Sequence, residues 1–186
     1  MAGCESYDIF REEWRQIKGL NIPRCAFAAT VCGGKIYIFG GYDGKDRLSS
    51  IEVYNPETLS WTLLSAKLAF PLSNAAAVSE GKNIFILGGG WSEGFNQEVF
   101  LFNTESHDIS SFERMNKGRD LRNKAIKFKK EIYTIGGNFY DGEKLDLRES
   151  NWNELKPYND LVNDNLDSWC CALSYNSHEY ELEKCQ

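Results

Sequence analysis

The hexamer Ile36-Tyr37-Ile38-Phe39-Gly40-Gly41 recurs as Ile84-Phe85-Ile86-Leu87-Gly88-Gly89 and again as Ile132-Tyr133-Thr134-Ile135-Gly136-Gly137. Each copy starts 48 residues after the one before it (84 − 36 and 132 − 84). A fixed spacing of this length marks an array of one supersecondary unit, stacked so that neighbours bury each other's apolar faces. The repeat therefore decides the fold before any other feature. It says what shape is built, and much less about what that shape holds.

Each hexamer reads as a β-branched and aromatic strand, and a small-residue strand precedes it. Cys25-Ala26-Phe27-Ala28-Ala29-Thr30-Val31 leads to Gly33-Gly34, Asn74-Ala75-Ala76-Ala77-Val78 leads to Gly81-Lys82, and Ala125-Ile126-Lys127-Phe128 leads to Lys129-Lys130. The pattern predicts two strands joined by a tight turn, the small-residue one suited to a crowded inner position. Pro23 and Pro71 each begin a unit, where an X-Pro step favours an extended lead-in. Downstream, Ser50-Ile51-Glu52-Val53-Tyr54, Asn55-Pro56-Glu57-Thr58 and Leu59-Ser60-Trp61-Thr62-Leu63 read as a third strand, a turn and a fourth strand. Copy two follows in register, with Phe102 for Tyr54 and Ile109 for Trp61; copy three is shortened, so that Trp152 arrives early.

Glycine inside a strand pattern is costly unless φ is positive or another backbone comes close. Three repetitions of a Gly doublet imply one recurring geometric need, an architectural one. A phosphate cradle does not fit: Gly88-Gly89-Gly90-Trp91-Ser92-Glu93-Gly94 departs from G-x-G-x-x-G, and no helix follows.

Both ends carry partial units. Tyr7 stands seven residues before Trp14, as Tyr54 stands before Trp61, so residues 6–17 read as third and fourth strands without the first two. Trp169-Cys170-Cys171-Ala172-Leu173-Ser174-Tyr175 and Tyr180-Glu181-Leu182, around Asn176-Ser177-His178-Glu179, read as first and second strands of a further unit.

Four antiparallel strands per unit, paired glycines after the second, a Tyr before the turn and a Trp about seven residues on resemble the kelch repeat. The resemblance covers residues 6–183 and implies an all-β, kelch-type β-propeller. The expected chain is a single domain of about four blades: a half-blade at 6–20, blades at 24–66, 72–114 and 120–157, and a half-blade at 167–184. It forms either a partial, open arc or a four-bladed ring, and an open arc would expose strand edges.

Kelch propellers mostly serve as protein-binding platforms, so the resemblance implies a cytoplasmic scaffold module without catalysis. Its partner would be a protein, such as a ubiquitin-ligase substrate or adaptor or a cytoskeletal protein. The ligase adaptors of this kind carry a BTB domain, for which these 186 residues leave no room. Loops after the second strand would hold the partner, because a rigid scaffold presents them and they vary freely. Their aromatics and basic residues give the candidate contacts Tyr42, Asp43, Lys45, Arg47, Trp91, Phe95, Phe139 and Tyr140. The run Arg114, Lys117, Arg119, Arg122, Lys124, Lys127, Lys129, Lys130 adds Arg119 and Arg122 as a basic dock for an acidic patch.

The formal charge of −6 argues against general binding of nucleic acid or anionic membranes, and no run approaches the roughly 18 apolar residues of a membrane span. No signal peptide is visible in Met1-Ala2-Gly3-Cys4-Glu5-Ser6. The six cysteines form no Cys-x-x-Cys pair and are expected to be reduced, with no metal or cofactor. The alternative is an enzyme, since some kelch-type propellers are copper oxidases or sugar mutarotases. The two histidines, His107 and His178, both fall in expected turns, away from a ring centre.

Overall fold

The computed structural model describes residues 3–91, 94–119, 123–136 and 142–155, with the side chain of Trp91 excepted. These residues hold sixteen strands and no helix. A two-stranded hairpin, β1 (Cys4–Asp8) and β2 (Glu13–Ile17), comes first. The first blade is β3 (Ala28–Cys32), β4 (Lys35–Phe39), β5 (Ser50–Asn55) and β6 (Ser60–Lys67), an antiparallel meander in sequence order. The second is β7 (Ala76–Glu80), β8 (Asn83–Leu87), β11 (Val99–Asn103) and β12 (Ile109–Phe112), with the small hairpin β9 (Gly90–Trp91) and β10 (Gly94–Phe95) inserted after β8. The third is β13 (Lys124–Phe128), β14 (Glu131–Ile135), β15 (Gly142–Asp146) and β16 (Asn151–Glu154).

The registers coincide from blade to blade. Ile36 faces Tyr54, Ile84 faces Phe102, and Ile132 faces Leu145. The shortening of copy three falls wholly in the loop between β14 and β15. Its outer hairpin is intact, with Trp152 opposite Leu145 as Trp61 is opposite Tyr54.

Alternation along the strands sends successive side chains to opposite faces. Tyr37, Phe39 and Ile51 of the first blade therefore meet Ile84, Ile86, Phe100 and Phe102 of the second. The other side of the second blade, with Phe85, Leu87 and Val99, meets Ile132, Leu145 and Trp152 of the third. The small-residue strands stand innermost and touch one another across the blades, β3 to β7 and β7 to β13. Ala28, Ala75 and Ala76 are buried in this crowded zone.

The N-terminal hairpin behaves as the outer half of a blade. Tyr7 pairs with Trp14, their rings 5.1 Å apart at 45°, the geometry of Tyr54 and Trp61. Cys4, Ile17 and Leu20 cover Ile38, Tyr54 and Trp61. The matching C-terminal segment, 167–184, lies outside the described residues, as do Cys170, Cys171, Cys185 and His178. Cys25 and Cys32 are free thiols. His107 occupies the β11–β12 turn with φ +62° and stacks on Phe102.

Candidate partner-binding face

The Gly doublets form the floor of the candidate face. Gly40 and Gly41 have φ of +61° and +103°, and Gly88 and Gly89 repeat this at +65° and +96°. Other main chain lies directly against them. A Cβ on Gly40 would run into the Leu72 carbonyl, and one on Gly88 would lie 2.6 Å from the Arg119 carbonyl. The second glycine of each pair meets its own blade's lead-in, Cys25 O at 2.7 Å and Ser73 O at 2.8 Å. The amides of Gly41 and Gly89 donate to the next blade's lead-in, at Leu72 O (2.9 Å) and Arg119 O (2.7 Å). These two doublets are thus joints between two blades, the architectural need expected of them.

Beneath the first joint, and again beside Gly136, lies a buried ion pair that the sequence reading missed. Arg24 donates to Gly40 O (2.8 Å), Ser50 O (3.1 Å) and Glu52 Oε1 (2.8 Å), and neither side chain of the Arg24–Glu52 pair reaches solvent. Glu52 also accepts from the amides of Asn21 (2.8 Å) and Ile22 (3.0 Å). Burial pulls the Arg24 pKa down, opposed by the Glu52 charge. The third blade repeats the unit. Arg119 donates to Gly136 O (2.7 Å) and Glu143 (3.1 Å), and Glu143 accepts from the amides of Asn116 (2.7 Å) and Lys117 (3.1 Å). Arg24 and Arg119 lie one residue short of two repeat lengths apart, a signal visible once the repeats are aligned.

Arg119 is therefore removed from the set of contact residues. It is fully buried against Glu143, and its guanidinium holds main chain together rather than a partner. The basic run around it is largely neutralised inside the molecule. Arg114 pairs with Glu98 (2.8 Å), Lys117 with Glu154 (3.5 Å), and both Lys127 and Lys130 with Glu80. Lys124 and Lys129 are exposed, and Lys129 lies over the Phe128 ring. Arg122 lies outside the described residues, as do Phe139 and Tyr140 of the third loop.

The first loop, residues 42–49, is held by its own polar groups. Tyr42 exchanges two main-chain bonds with Cys25 at 2.9 Å, and its hydroxyl donates to Gly44 O (3.1 Å). Asp43 caps the turn by accepting from the amides of Lys45 (2.8 Å) and Asp46 (2.7 Å). Those amides hold the Asp43 carboxyl below its ordinary range. Asp43 is thus a turn residue, while Tyr42 and Lys45 present their side chains outward.

The second loop is the β9–β10 hairpin, a structure the sequence reading left as plain loop. Phe95 is 55% exposed on it, and the buried Asn96 braces it by donating to Gly88 O (3.2 Å). Ser73 links the two loops. It exchanges main-chain bonds with Gly90 (3.1 and 2.7 Å), and its hydroxyl accepts from Arg47 Nε (3.2 Å). Tyr42, Lys45, Arg47 and Phe95 are therefore carried on one braced unit. Among the described residues, no group of three or more His, Cys, Asp or Glu could hold a metal ion.

Residues 23–67 match the family model described as the Kelch motif. Human Kelch-like protein 6 is 38% identical over 84 residues, which are 45% of this chain and 13% of that protein. An F-box/kelch-repeat protein of Arabidopsis thaliana is 27% identical over 138 residues, 72% of this chain and 35% of that one. The chain thus spans little more than a third, at most, of the length of either relative. The solved structure of YjhT superposes with a TM-score of 0.70 over 80% of this chain and 56% of its own, at 15% identity, a likeness of fold.

Proposed function

Because the chain is a kelch-repeat β-propeller chain, we propose that it is a protein-interaction module whose partner docks on the loops that follow β4 and β8. One observation carries this reading. Ser73 ties the two loops into a single braced surface, on which Tyr42, Lys45, Arg47 and Phe95 are exposed. Aromatic and basic side chains on a preorganised frame are the composition of binding hot spots, since little ordering entropy is lost on docking.

The partner is a polypeptide, and the module performs no chemistry of its own. The names of relatives support this. A plant relative is an F-box/kelch-repeat protein, and a cowpox virus relative, 34% identical over 84 residues, is a kelch repeat and BTB domain-containing protein. Two unlike domains joined to the same repeat suit a repeat that recognises a protein rather than turns over a small molecule. Trp91, Phe139 and Tyr140 belong to the same proposal by position in the sequence, as third-loop and hairpin members of one face.

The test compares the wild-type chain with the triple variant Tyr42→Ala, Lys45→Glu, Phe95→Ala. Surface changes of this kind are expected to alter stability by no more than about 0.5 kcal/mol each. Bound polypeptides captured by the wild type should be lost by the variant at unchanged circular dichroism and melting. Identical capture by both would overturn the reading. Turnover of a sugar anomer or an alcohol by the purified wild type would favour an enzyme instead.

A further inference from the structure

The two described loops of the candidate face carry unlike side chains at one repeat position. Arg47 and Phe95 stand 48 residues apart (95 − 47). Each lies opposite the residue that follows its glycine doublet, Arg47 opposite Tyr42 and Phe95 opposite Gly90. The residue after each docks on the next blade's lead-in: Leu48 O accepts from the Leu72 amide (3.1 Å) and Asn96 O from the Arg119 amide (3.0 Å). Main chain alone therefore sets both places, on the spacing of the blades. The frame requires neither a guanidinium at the first nor a ring at the second.

Arg47 differs from the other arginines. Among the described residues, Arg11, Arg15, Arg24, Arg114, Arg119 and Arg148 each have a carboxylate partner, and Arg47 has none, although Asp43 and Asp46 stand in its own loop. Its Nε donates to Ser73 Oγ (3.2 Å), and no other group of the described residues bonds to its guanidinium. A guanidinium fixed at Nε keeps both terminal amino groups open, in the planar fork that takes the two oxygens of a carboxylate at once. The anchor at Ser73 also reduces the rotamer freedom that docking would remove.

Phe95 is seated in the same manner. It lies against Gly118 of the third blade's lead-in, where a Cβ would stand 2.8 Å from the Phe95 carbonyl oxygen and 3.0 Å from its Cβ. The missing side chain lets β10 settle on the lead-in with the Phe95 ring outside the apolar clusters, 55% exposed. A ring in that position gains when a partner covers it. We propose that Arg47 and Phe95 are paired subsites, which select an acidic residue and a nearby apolar residue in one stretch of a partner polypeptide. The inference rests on the docking face proposed above and names what that face selects. The chain's formal charge is −6, so no long-range field draws an acidic partner in, and selection is by contact at the fork.

Random peptides displayed on phage and selected on the full chain supply the probe. Selected sequences should carry Asp or Glu at a fixed spacing from a large apolar residue. For one such peptide, Arg47→Gln should weaken binding at least about tenfold, and so should replacing the peptide's acid by its amide. The two changes together should weaken it no more than either alone, because both remove one contact. Phe95→Ala should weaken binding by a similar factor and leave the preference for an acid unchanged. Both side chains are exposed, so melting of each variant should match the wild type. Selected peptides without an acid, or losses from Arg47→Gln and from the amide that add, would overturn the inference and leave the docking face standing. Binding that persists in the triple variant Tyr42→Ala, Lys45→Glu, Phe95→Ala, or the selection of no peptide, would overturn both.

Discussion

The first and second blades share a backbone and differ beneath it. In the first, Arg24 and Glu52 fill the space between the lead-in and the third strand, with their polar contacts directed at main chain, at each other and at the Asn21 side-chain amide. One repeat on, the same positions are Leu72 and Phe100, both buried, with Phe70 edge-on to the Phe100 ring at 5.3 Å. The third blade returns to the polar version, and Asn116 donates to Trp152 O as Asn21 donates to Trp61 O. The glycine joint above is the same in first and second blades. Spacing and register thus follow from close backbone approach at the glycines, while the filling below can be charged or apolar. The charged filling forfeits hydration, and the hydrogen bonds it gains orient the lead-in; a Leu–Phe filling gives contact without direction.

The comparison can be broken most severely by orphaning one charge. Glu52→Ala should lose about 3–5 kcal/mol, because Arg24 stays buried without its partner; denaturant unfolding measures it, and Glu143→Ala should match it in the third blade. Next in size is Gly88→Ala, which combines positive φ with a carbonyl 2.6 Å away and should lose about 2–4 kcal/mol. Gly44→Ala, with open space at its Cβ, should lose only about 1 kcal/mol. The double change Arg24→Leu with Glu52→Phe copies the second blade into the first and should lie within about 2 kcal/mol of wild type, above either single variant. A loss equal to the sum of the singles would show that the first blade cannot take an apolar filling.

The smallest effect is at the edge between second and third blades. Hydrogen bonds from Lys127 and then Lys130 hold the Glu80 carboxyl below its ordinary range. A depressed carboxylate adds stability above about pH 4, and that contribution fades as pH falls through the folded value. Glu80→Gln should therefore reduce stability by less than about 1 kcal/mol at pH 7, and by progressively less as pH falls below the ordinary carboxylate range, in paired denaturation curves.

The strands were legible because the repeat is in the residues that make them. The 48-residue step, the alternation and the Tyr7/Trp14 spacing led to the same hairpins that the structure holds. The shortening of copy three was visible too, although its place in the β14–β15 loop required the registers of β15. The site was read less well. Arg119 looked like one cation in a basic run, and nothing local marks it as buried; its partner Glu143 lies in another strand, reached only through the fold. Asp43 is acidic in a loop, which fits a contact or a cap equally, and only the positions of the Lys45 and Asp46 amides reveal the cap. The β9–β10 hairpin has two residues per strand, too few to show an alternation.

The clamp that Arg24 and Gly41 build grips carbonyls and amides, and no side chain between residues 42 and 49 takes part in it. Selection can therefore rewrite that stretch without touching the frame, as an engineer swaps a cassette between fixed splice points. A chain assembled in this manner can vary that stretch rapidly while its skeleton stays unchanged.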